Sequence, residues 1–288
     1  MRSIFLLFIA LWPILPIDAI GRKDNVSYLS ADSMTICKLL DEARHQARTV
    51  NISLFLARKF LGVPYVAHTL EINKNEKLVV NTRQLDCTTF VETVTALTLC
   101  VYHRSYTWQD YLDALKSVRY RDGQIENYTS RIHYFTEWIT VNTKAGIVKE
   151  VQNPDPPFSA VQAVNVNFMS RHPESYKALR QHPEYVSAIR QMEKQITGGR
   201  FRYIPKQSLK NTALMRNVVV DGDIIAITSN KKGLDIAHLG FAVWKNGELH
   251  LLNASQLHKK VIEEPMTLYQ YLQKHPSHTG IRIIRIRK

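Results

Sequence analysis

The run "AHLGFAVWKNGELHLLNAS", residues 237–255, constrains the fold more than any other part of the chain. Two largely apolar, strand-like segments flank Asn246-Gly247. That dipeptide suits a two-residue turn in which both central residues take positive φ. With Asn246 and Gly247 as the loop, Lys245 pairs with Glu248, Gly240 with Asn253 and His238 with Ser255. His238 and Asn253 then lie on one face as diagonal cross-strand neighbours, about 7 to 8 Å apart at the backbone and within side-chain reach. An imidazole beside a carboxamide is the orienting half of a Cys-His-Asn arrangement, in which the third group fixes the ring's tautomer. Asp223 and Asp235 are the other candidates for that orienting role.

The same strand pattern extends on both sides, in "DGDIIAIT" before the hairpin and in the closing "GIRIIRIRK". The first half reads as helix. "SMTICKLLDEARHQA" and "SLFLARKFLG" carry apolar residues at helical spacing, and Gly62 and Pro64 stop the second run. A further helix spans 86–102, with Phe90, Val94, Leu97 and Val101 on one face and Asp86 as N-cap. Helical patches follow at 107–118 and 173–196, the latter containing the lookalike starts "HPESYKALR" and "HPEYVSAIR". Helices first and an antiparallel sheet last define an α+β class. One domain over residues 20–288 is expected, with a largely helical insertion at about 105–200.

Cys87 stands at the first turn of the 86–102 helix. Free amides and a partial positive charge there favour the thiolate and offer an N–H to an oxyanion. The position also suits a small core residue, because free cysteine is among the most buried residue types. A base within reach separates the two readings, and the hairpin supplies His238. The other histidines, among them His68, His103, His133 and His250, read as surface or hydrogen-bonded residues. The three cysteines, Cys37, Cys87 and Cys100, are an odd number, so at least one stays unpaired within the chain. No Cys/His spacing suggests zinc, and neither a metal nor a cofactor is expected.

Residues 1–19 have the shape of an export signal: Arg2, an apolar run of about 12 residues broken by Pro13 and Pro16, and a small-residue exit at Ala19. The run is short for a membrane span, so an exported protein, periplasmic or extracellular, is expected, and a monomer. Lys and Arg total 38 against 25 Asp and Glu, a formal charge of +13 that removal of residues 1–19 leaves unchanged. Such a balance suits anionic partners. Without a nucleic-acid-binding signature, cell-wall glycan or anionic lipid is favoured over nucleic acid.

The chain also resembles a known family. "LGVPY", "LDCTTFVE", "DGDIIAI" and the hairpin follow in order the pattern of NlpC-type, papain-like cell-wall cysteine peptidases. "GVPYVAHTLE", "RQLDCTTFVETVTAL", "RIHYFTEWI", "GLDIAHLGFAVW", "KKVI" and "TGIRIIRIRK" resemble the bacterial N-acetylmuramoyl-L-alanine amidase-like branch, from about residue 35 onward. The resemblance implies a papain-like fold with Cys87 as nucleophile, His238 as general base and Asn253 as third member. Tyr65 and Asp86 would contact substrate or oxyanion, and the scissile bond would join N-acetylmuramic acid to L-alanine in peptidoglycan or a muropeptide. A γ-D-glutamyl-diamino acid endopeptidase and a non-catalytic wall-binding module are the competing readings. In two places the chain departs from the superfamily pattern: the third position is commonly histidine, and His68 stands where a small residue is expected.

Overall fold

The computed structural model describes residues 25–288, so the expected export signal lies outside the described residues. The helices are α1 (Ser30–Arg44), α2 (Ile52–Arg58), α3 (Cys87–Tyr102), α4 (Trp108–Arg119), α5 (Phe135–Lys144), α6 (Phe168–Arg171), α7 (Lys177–Gln181), α8 (Tyr185–Ile196), α9 (Thr212–Arg216) and α10 (Leu268–Gln273). A parallel pair, β1 (Val26–Ser27) and β2 (Leu78–Val79), sits apart from an antiparallel sheet. The sheet contains β3 (Val148–Val151), β4 (Ala160–Ala163), β5 (Arg200–Pro205), β6 (Ile224–Ser229), β7 (Ile236–Lys245), β8 (Glu248–Ser255), β9 (Lys260–Glu263) and β10 (His278–Ile286), ordered β4-β5-β10-β6-β7-β8-β9, with β3 also on β10.

The hairpin forms as its turn dictates. Asn246 and Gly247 have φ 51° and 84°, and the register runs from Lys245 opposite Glu248 to Phe241 opposite Leu252. Gly240 is required by close approach, since a Cβ there would stand 2.7 Å from the Leu252 carbonyl oxygen and 2.8 Å from the Leu251 side chain. On its other side β7 carries a bulge: Ile227 faces His238 but Thr228 faces Ile236. A bulge re-aims the side chains beside it, and here the side chain beside it belongs to His238.

The 86–102 helix differs from its amphipathic reading, because α3 is buried all round from Thr89 to Cys100. It runs between α1, α2 and α4 on one side and the sheet on the other. Two of its threonines bond locally, Thr98 to the Val94 carbonyl at 2.8 Å and Thr89 to Asp86, whereas the buried Thr95 hydroxyl has no partner. Glu92, 1% exposed, is neutralised by Arg119 of α4 at 2.6 Å. Phe90 packs edge-on against Phe241 of β7, ring centroids 5.5 Å apart, which fixes the start of α3 against the hairpin.

Residues 105–200 are helical at α4 to α8 but also give the sheet β3 and β4. These strands are short, and their neighbours β5 and β10 lie far along the chain, so no local period marks them. The insertion encloses an apolar cluster of its own, including Tyr134, Val166, Met169 and Ile189.

Candidate active site

Cys87 is the first residue of α3. Asp86 caps the helix, its Oδ1 accepting from the Thr89 N–H at 2.8 Å and from the Thr89 hydroxyl at 2.9 Å, while Thr89 Oγ1 accepts from the Asp86 N–H. The cap leaves the Cys87 N–H unused by the helix. The sulfur lies against the backbone of Leu239, the residue after His238. His238 Nε2 is 2.9 Å from Asn253 Oδ1. A carbonyl oxygen only accepts, so Nε2 carries the proton and Nδ1 is the basic nitrogen. The cysteine, histidine and asparagine picked out in the sequence therefore converge, whereas the two aspartates do not orient the ring. Asp223 is paired with Arg285 at 2.7 Å, and Asp235 accepts from the Thr136 N–H at 2.6 Å.

Tyr65 is brought in by two backbone links, its N–H donating to the Lys259 carbonyl and its residue bridging in parallel to Leu85, two positions before Cys87. Burial, with Cys87 and Asp86 nearby, pushes the Tyr65 phenol up to about 12, so it remains a donor at neutral pH. The electrostatics of Cys87 run against the expectation drawn from its helix position. Burial, then the Asp86 charge, push the thiol up to about 12, and contacts from Thr88 and the Leu239 and Cys87 backbones recover only part. Burial also lowers His238, against opposing contributions from Asn253 and Glu264. Both shifts favour a neutral thiol beside a neutral imidazole in the resting site.

A cleft of about 260 Å³ adjoins the start of α3, lined there by Asp86, Thr88 and Thr89 and not by Cys87, His238, Asn253 or Tyr65 themselves. His68, Glu71, Asp86 and Thr88 line it on one side, and the insertion walls the other with Arg131, His133 and Trp138 among others. His68 has φ 63°, a left-handed conformation that glycine would adopt at less cost and that this chain accepts at the cleft rim. His133 and His250 bond to backbone carbonyls, and His68 and His103 are exposed, as the sequence suggested.

Several site residues escaped the sequence reading. Asn253 Nδ2 donates to Glu264 Oε1 at 3.1 Å, and Glu264 Oε2 lies 3.3 Å from His258 Nε2. Tyr271 stands 6.3 Å from His238, ring to ring, and His275 stacks on His278 at 4.6 Å. The only trace in the sequence is the histidine density of "KHPSHTG". The three cysteines are all free, with Cys37 exposed and Cys100 buried.

Several solved structures share this architecture, and they do not all carry one name. A Bacteroides uniformis ATCC 8492 protein described as an N-acetylmuramoyl-L-alanine amidase is 40% identical, with a TM-score of 0.77 over 82% of this chain and 98% of its own. A Bacteroides fragilis protein given the provisional name of xylanase is also 40% identical, with a TM-score of 0.75 over 80% and 98%. A Legionella pneumophila protein shares the fold at 22% identity, with a TM-score of 0.69 over 90% and 95%. No curated protein matches. Fold and likeness together define an amidase-like hydrolase of mixed α+β architecture. The chain belongs to the N-acetylmuramoyl-L-alanine amidase-like family, whose description matches residues 55–281.

Proposed function

We propose that this protein is an exported, monomeric cysteine amidase of the NlpC-type, papain-like superfamily that hydrolyses the bond between N-acetylmuramic acid and L-alanine in peptidoglycan or its fragments. The observation that carries the reading is the convergence of Cys87 at a helix start with a His238 ring tied to Asn253 at 2.9 Å. Family membership supplies the bond class.

The Cys87 sulfur attacks the lactyl carbonyl while His238 Nδ1 takes the thiol proton. The carbonyl oxygen becomes an oxyanion that the Cys87 N–H and the Tyr65 hydroxyl stabilise. Collapse breaks the C–N bond, His238 returns the proton to the leaving L-alanine amine, and a thioester remains on Cys87. Water, deprotonated by His238, then releases the sugar acid and restores the thiol. Asn253 exchanges no proton; it holds the ring. The resting neutral pair suits this sequence, since a neutral imidazole is the form that accepts the thiol proton.

Mass spectrometry of digested muropeptides tests the assignment. A free muramic acid sugar plus an intact stem peptide is expected, whereas a peptide shortened between glutamate and the diamino acid would replace it with the endopeptidase reading.

A further inference from the structure

The third member of the triad is an amide, and an amide has two unlike ends. If Asn253 turned its NH2 toward His238, Nε2 would have to become the acceptor and the proton would move to Nδ1, the nitrogen needed to receive the Cys87 proton. Nothing in Asn253 itself forbids that flip. Asn253 is fully enclosed in β8, between β7 and β9, so water does not decide its orientation.

Glu264, the residue after β9, does. Its backbone is fixed by an N–H donated to the Leu251 carbonyl at 2.8 Å, and its side chain is 2% exposed beneath Asn253. A carboxylate only accepts, so Asn253 must present Nδ2 to it, at 3.1 Å, and Oδ1 to His238. The other carboxylate oxygen is 3.3 Å from His258 Nε2, off the hydrogen-bonding direction. We propose that Glu264 is the positioning residue of this site: it locks the Asn253 amide, and through it the His238 tautomer, so that Nδ1 remains the base, and its charge supports the imidazolium formed during turnover. The role gives an asparagine triad the electrostatic support that asparagine alone lacks. It rests on the reading of Cys87 and His238 given above.

The groups facing His238 are Asp86, the N-cap of α3, Asn253 from β8, Glu264 after β9, Tyr271 from α10, His275 in the turn after α10 and His278 at the start of β10. Of these, Asp86 and Glu264 are the carboxylates; Glu264 acts more strongly on the ring.

Two variants test the assignment. Glu264→Gln retains size but removes the charge, and it frees the amide to sit either way round. Nitrogen-15 NMR of the histidine rings should show the His238 midpoint lowered by about half a unit or more, with the Nδ1–H tautomer newly populated. Glu264→Leu should lower kcat about tenfold or more with KM within about twofold. A Glu264→Gln protein whose His238 midpoint and tautomer match wild type would overturn the proposal, as would a folded Glu264→Leu with wild-type kcat. If Glu264→Leu does not fold, the Glu264→Gln titration decides alone. That titration needs no substrate, so a wild-type protein that cleaves no muropeptide would refute the proposed activity without touching this result.

Discussion

At the scale of single residues, the site is a balance between a helix start that favours thiolate and an enclosure that opposes it. Burial and Asp86 win at Cys87, whose thiol is held up to about 12. A raised thiol means less thiolate at any given pH, so iodoacetamide should label resting Cys87 more slowly than free cysteine at pH 7, with a rate still climbing at pH 9. Exposed Cys37 should label first and buried Cys100 last. Rapid labelling of Cys87 at pH 6 would instead establish a resting thiolate and imidazolium pair. Cys87, His238 and Asn253 were legible in the sequence because a helix cap and a two-residue turn each fix geometry over a few positions. Glu264 was not, because its contact with Asn253 is created by the β8 and β9 pairing and by the exit from β9, which "IEEPM" does not announce.

At the scale of elements, α3 carries Cys87, the proposed nucleophile, and is held on every side. A buried ion pair does part of this: Glu92 of α3 and Arg119 of α4 meet at 2.6 Å with both side chains 2% exposed, and Arg119 Nη1 also donates to the Val79 carbonyl at 2.7 Å. Arg119→Leu strands a buried carboxylate, and chemical denaturation should record a loss of about 3 to 5 kcal/mol. The double variant Glu92→Leu/Arg119→Leu should recover much of that loss, because the isolated charge is what costs stability. Equal losses in the single and double variants would show that packing dominates. The four long strands at the C-terminal side were readable from their apolar runs. The short strands β3 and β4 were not, since four residues against a distant partner leave no periodic signal. The all-round burial of α3 was hidden for a related reason: its polar residues are threonines and one paired glutamate, which burial tolerates only in this tertiary setting.

At the scale of the whole molecule, the excess of 13 positive charges is not gathered in the cleft, where Glu71, Asp86, Glu92 and Asp235 line the wall beside Arg131. If the substrate is the anionic wall, as proposed, its attraction acts on encounter, over distances that salt screens beyond about 8 Å. Raising salt from about 50 to 500 mM should raise KM on polymeric wall several-fold with kcat nearly constant, and should affect a small muramoyl-alanine substrate far less. Equal effects on both would assign the basic surface no part in wall binding. In the proposed reaction Cys87 carries the muramoyl group through turnover. Rapid acid quench of the enzyme with a muropeptide, followed by peptide mapping, should find the N-acetylmuramoyl mass as a thioester on Cys87 together with a released peptide that begins with L-alanine, and Cys87→Ala should yield neither. Stem peptide released at an undiminished rate by Cys87→Ala, or an acyl group carrying glutamyl peptide in place of the sugar, would contradict it.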